Sequence, residues 1–146
     1  MQKKQLQHHI RTGIPISEHM DFRVLELSPT AITVCGGGAE NINVHGTAFA
    51  GSLYSISTLA IWGLVFSRLP EGASLVMAEA TIRYRRPVIG DITARCEILS
   101  TDFEAFLNAV NRQAKGRLKA VALASAGDGA VAAELNGLVY ARLNKD

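Results

Sequence analysis

Between Gly46 and Ser67 the 146-residue chain has no aspartate or glutamate, and after His45 no lysine or arginine appears until Arg68. Cysteine is almost as scarce. Cys35 and Cys96 lie in strand-like segments with no CxxC or Cys/His partner, which excludes a thiol-based metal or redox centre and leaves buried free thiols. Charge of one sign is missing too: a net +2 is too little to imply nucleic acid. His8, His9 and His19 share no ligand spacing with an acid or cysteine, so no metal site is expected. The N-terminal MQKKQLQHHIRTG lacks the apolar stretch of a signal peptide, which points to a cytoplasmic protein. Repeats, linkers and low-complexity segments are absent, so residues 1–146 read as one domain.

What is present is a chain of 48% hydrophobic and 19% charged residues, the balance of a folded globular domain with one core. Leu6 and Ile10 are four apart, which predicts an amphipathic helix over 2–12, broken at Pro15. MDFRVLELS and AITVC read as strands around Ser28-Pro29-Thr30. SLVMAEATIRYRRP reads as a long strand stopped by Pro87. ITARCEIL alternates cleanly, with Ile92, Ala94, Cys96 and Ile98 on one face. Thr101-Asp102-Phe103-Glu104 fits a capping box, and Phe103, Phe106, Leu107 and Val110 follow at helical spacing. RLKAVALAS and AVAAELNGLVYARL form a hairpin around Gly127-Asp128-Gly129, with a bulge expected at Asn136-Gly137.

The uncharged run NINVHGTAFAGSLYSISTLAIWGLVFS is about as long as a bilayer span. Its hydroxyl residues, its glycines at 46, 51 and 63, and the lack of a second span or basic flank speak against that. The strands each have one apolar face that needs a partner. A helix apolar all round is what the centre of such a fold uses.

The run NxNxHGTAFAGSLYxxxTLAxWG, followed by AEATIRYRRPVIGD, resembles the YiiD C-terminal family of hot-dog proteins over essentially the whole chain. That family was long labelled "putative thioesterase", and members are known as malonyl-acyl-carrier-protein decarboxylases. The resemblance implies an α+β hot-dog fold: a mostly antiparallel sheet wrapped around the long central helix. It implies acyl thioesters as substrates, with phosphopantetheine or coenzyme A entering as part of the substrate and no separate cofactor. It also implies a homodimer, possibly a tetramer, with sites at the subunit interface near the helix starts. The sheet edge that a lone protomer exposes agrees with dimerisation. No nucleic acid and no membrane is expected as a partner.

Such a site favours one chemistry over another. A hydrolase or dehydratase of this fold commonly uses a carboxylate on the helix, and here it would have to borrow Glu40, Glu79 or Asp21. Decarboxylation of a malonyl thioester needs only donors on the thioester oxygen and a dry pocket. The leading expectation is therefore malonyl-acyl-carrier-protein decarboxylase, with acyl-thioester hydrolysis second and a non-catalytic acyl or carrier-protein binding module third. Asn43 and His45, one residue apart in an extended loop, point the same way and suit an oxyanion hole, assisted by Thr47, Gly51 N–H or Ser52. Phe49, Tyr54 and Trp62 would line the pocket, with Asn41 beside them.

Structural roles compete with each of these. Asn41 and Asn43 also suit loop backbone or a cap, His45 a core position, Thr47 and Ser52 the N-cap, and Tyr54 a subunit contact. Glu79 is a candidate substrate contact, although Val76, Ala78, Ala80, Ile82 and Tyr84 read as the face that meets the helix and turn it away. Arg83, Arg85 and Arg86, and separately Arg112, Lys115, Arg117 and Lys119, read either as solvated basic faces or as landing patches for an anionic carrier protein or coenzyme A.

Overall fold

The computed structural model describes residues 1–144. Six antiparallel strands form one sheet: β1 (Arg23–Leu27), β2 (Ala31–Gly36), β3 (Ala73–Tyr84), β4 (Ile92–Glu97), β5 (Lys115–Ser125) and β6 (Ala133–Leu143). Their order is β1-β2-β4-β5-β6-β3, so β1 and β3 are the edges. α1 (Lys3–Gly13) and the short α2 (Ile16–His19) precede the sheet, α3 (Ala50–Phe66) connects β2 to β3, and α4 (Ser100–Gln113) connects β4 to β5.

α3 lies in the hollow of the sheet as the hot-dog helix. Leu53, Ile56, Leu59, Ala60, Ile61, Leu64 and Val65 are all buried, so the helix has no wet face of ordinary width. Each of these Leu, Ile and Val side chains contributes about 1.5–3 kcal/mol on leaving water. α1 closes the remaining side with Leu6 and Ile10. A Cβ at Gly63 would stand 3.3 Å from Ile10 Cδ1, so glycine sets how closely the two helices approach. The alternation expected in β4 is present, with Ile92, Ala94, Cys96 and Ile98 buried, and so is the apolar stripe of α4. No helix among the described residues is long and apolar enough to cross a membrane.

Three expectations need correction. The bulge sits at Ala78 in β3, not at Asn136-Gly137: Met77 pairs with Val139 and Glu79 with Leu138, while β6 runs on regularly. Gly137 is small for a different reason, since a Cβ there would stand 3.0 Å from Ile61 Cδ1 and 3.1 Å from Met77 Sδ. The extra residue flips the parity of β3. Leu75 and Met77 face α3 before the bulge and Ala80 and Ile82 after it, which puts Val76 and Ala78 outside. Finally, Thr101 is not an N-cap: α4 starts at Ser100 after Leu99, without a side-chain cap.

Candidate active site at the start of the central helix

Loop 37–49 delivers the chain to α3, and two asparagines build it. Asn41 is 4% exposed; its amide nitrogen donates to Met20 O at 2.9 Å and to Gly37 O, tying the loop to the end of α2 and to β2. Its carbonyl accepts from Phe49 N at 2.7 Å, and its Oδ1 is buried with no partner among the described residues. Asn43 closes the next turn. Its Oδ1 accepts from His45 N at 2.9 Å and Thr47 N at 3.2 Å, and its Nδ2 donates to Thr47 Oγ1 at 3.0 Å and Ala48 O at 3.3 Å. Gly46 makes the turn possible at φ +75°, a conformation that a side chain disfavours.

Both amide hydrogens of Asn43 are thus engaged inside the loop, so the structure does not leave them free for the donor role expected of it. His45 is not a core histidine: its ring is exposed at the tip of the turn that Asn43 holds. Thr47 serves Asn43 rather than capping the helix. The N-cap position belongs to Phe49, which offers no side-chain cap. Ser52 is buried, and its N–H is spent on Phe49 O at 3.0 Å, as is that of Leu53 at 3.1 Å. The N–H groups of Ala50 and Gly51 have no acceptor among the described residues. Gly51 also makes room for Phe49, because a Cβ there would lie 2.4 Å from the Phe49 ring. That ring, itself 54% exposed, leans over the first turn.

Tyr84, which sequence reasoning did not single out, joins the mouth from the end of β3. Its phenol donates to Ala50 O at 2.9 Å, and burial together with the nearby Tyr54 pushes its pKa up, keeping it protonated. Val88 joins it by accepting from Ala48 N at 2.8 Å. The signal for both lay in the IRYRRPVIGD run, read only as a mark of the fold.

Trp62 is three turns along the helix, about 18 Å from Ala50, where its Nε1 donates to Leu75 O at 3.1 Å and its ring stacks on Phe66. Tyr54, Thr58 and Trp62 nevertheless share one apolar groove of about 250 Å³ with Ile14, Ile16 and Met20. Glu79 and Arg83 lie on the outer face of the sheet, away from α3. Arg85 is 3.2 Å from Glu134, whose carboxyl is held below its usual range by Asn136 and then Arg85; Arg83 and Arg86 are exposed without an ion pair among the described residues. The structure therefore gathers Asn41, Asn43, His45, Thr47, Phe49, Gly51, Ser52 and Tyr54, and leaves Trp62, Glu79 and the arginines outside that cluster.

A family model described as "Putative thioesterase (yiiD_Cterm)" matches residues 3–142. Among solved structures, a "putative thioesterase" from Shewanella oneidensis is 30% identical with a TM-score of 0.84, covering 97% of each chain. A protein of unknown function from Chlorobaculum tepidum is 25% identical with a TM-score of 0.89, covering 97% of this chain and 94% of its own. A "probable thioesterase" from Pseudomonas aeruginosa, at 21% identity and TM-score 0.86 over 99% and 97% of the two chains, shares the fold.

Proposed function

The chain belongs to the YiiD C-terminal "putative thioesterase" family of hot-dog proteins, and from that premise we propose that it decarboxylates a malonyl thioester on acyl carrier protein to the acetyl form. The observation that carries the reading is an uncapped helix start, with two N–H groups that have no acceptor among the described residues and no acidic residue in the first turn of α3. Those donors, at the positive end of α3, suit an oxygen that gains negative charge. The bond from C2 to the carboxylate breaks, its electron pair passes into the enolate, carbon dioxide leaves, and one proton taken up from solvent adds to C2. Ala50 and Gly51 N–H hold the enolate oxygen with the His45 ring beside them, Asn43 and Asn41 position the loop, and Phe49 excludes water. No step requires an activated water.

The site works in a homodimer. β3 is a twelve-residue sheet edge, and the half-exposed stripe Tyr54, Ser55, Thr58, Trp62 and Phe66 of α3 adjoins it through the Trp62–Leu75 bond. One two-fold contact covers both and brings the helix mouth to the interface.

Hydrolysis of an acyl thioester is the second reading, favoured by the family's description. One incubation separates the two. Malonyl-acyl carrier protein is converted to acetyl-carrier with release of carbon dioxide if the chain is a decarboxylase. Free carrier thiol without acetyl-carrier gives the protein to hydrolysis instead.

A further inference from the structure

Across the outer face of the sheet, strand registers line up side chains in rows. Lys115 stands beside Arg142 and Ser74, Arg117 beside Tyr140 and Val76, Lys119 beside Leu138 and Glu79, and Leu123 beside Glu134 and Arg83. Lys115, Arg117, Lys119 and Arg142 are exposed at one end of this face, and Arg83 and Arg86 at the other. None of the six takes part in an ion pair among the described residues. The acids on these rows are Glu134, taken by Arg85, and Glu79, midway between the two basic ends.

The helix mouth lies at the Arg83 end, where Tyr84 reaches Ala50. From Arg117 to the row of Arg83 within one protomer is six residues along β5, ~20 Å, plus two strand spacings of ~4.8 Å. A second copy paired antiparallel along the open edge of β3 changes this distance. If the two β3 strands pair about Ala80, the Arg83–Tyr84 end of one protomer lies beside the Leu75–Val76 end of the other. The partner's Arg117 is then three strand spacings from the first protomer's Arg83, ~14 Å. Arg83 and Arg86 of one chain and Lys115, Arg117, Lys119 and Arg142 of the other merge into one basic band, and the two Glu79 side chains flank the two-fold between the bands.

We propose that this composite band docks an acidic carrier protein, so that a carrier seated largely on one protomer delivers its thioester to the helix mouth of the other. The docking rests on the dimer and thioester reading above. Six uncompensated cations in a chain of net charge +2 match an acidic protein surface. Among the described residues, the one ring that meets any of these cations is Tyr140 under Arg117, which does not suit stacked nucleic acid bases.

Binding of labelled malonyl-acyl carrier protein tests this without relying on turnover. Two variants are made, Arg83→Gln/Arg86→Gln and Lys115→Gln/Arg117→Gln/Lys119→Gln/Arg142→Gln, and each is expected to bind about tenfold more weakly than the parent at low salt. Mixed dimers of the two, purified through different tags, retain one intact band. They bind a single carrier at parental affinity. Mixed dimers that bind as weakly as either parent variant overturn docking across the two-fold, as does a monomeric chain. Unchanged affinity in the variants, no carrier binding by the parent, or equal binding of a short duplex DNA overturns the carrier surface itself. A parent that binds carrier without decarboxylating it leaves the docking standing and removes the proposed reaction.

Discussion

The two edges of the sheet are finished differently. At β1 the side chains of α1 satisfy the outer backbone: Gln7 Oε1 accepts from Val24 N at 2.8 Å, Lys3 Nζ donates to Leu25 O at 3.0 Å, and Arg11 Nε donates to Phe22 O at 2.8 Å. At β3 one such contact, Trp62 to Leu75 O, is followed by open backbone from Val76 to Arg83. A five-residue edge is covered, while a twelve-residue edge next to the helix mouth is left for pairing. Open edges invite another chain, and proteins normally blunt those they do not use. On the proposed reading, the difference puts assembly and chemistry on the same side of the molecule.

Ala78→Pro breaks that comparison most severely. Ala78 is the bulge residue without a β6 partner, so proline there spares the β3–β6 ladder while barring a second strand. Sedimentation should fall from twice the 15.7 kDa chain mass to once it, with loss of turnover and little change in secondary structure. An interior strand supplies the contrast. Burial pushes the Cys96 thiol on β4 from 9.0 up to about 12, so the native state holds its proton where the unfolded chain loses it. Its stabilisation is complete below pH 9 and is lost as pH climbs towards 12, by roughly 1.4 kcal/mol per unit. Urea titrations across that range measure the slope, and Cys96→Ala, though less stable at pH 7, should flatten it. Gln7→Ala strips the closed edge of one acceptor and should cost about 1 kcal/mol in the same titrations, without altering the chain's mass in solution. Lys3→Ala, on an exposed contact, should cost less than ~0.5 kcal/mol by the same measurement.

Much of the fold was legible because burial wrote a period into the chain. The uncharged helix, the alternation at 92–98 and the stripe at 103–110 all face the core as their spacing implies. The bulge was not legible. Asn136-Gly137 has the composition of one, but its glycine answers to packing on Ile61, while the true bulge at Ala78 carries an ordinary residue. That Asn41 to Tyr54 form one cluster at the start of the central helix was legible, but the hydrogen bonds each side chain makes were not. Nothing in the spacing of Asn43 and His45 tells that the amide folds back on Thr47 and Ala48 while the imidazole is left outside. Tyr84 escaped because its partner is a backbone carbonyl thirty-four residues away in sequence.

Hydrogen exchange along the two edges tests the central claim most directly, that β3 is an open edge closed by a second copy at the helix mouth. At high protein concentration the amides of 76–84 should exchange as slowly as those of the interior strands. On dilution they should lose that protection while 23–27 stay unchanged. Fast exchange at 76–84 that is independent of concentration would contradict the account.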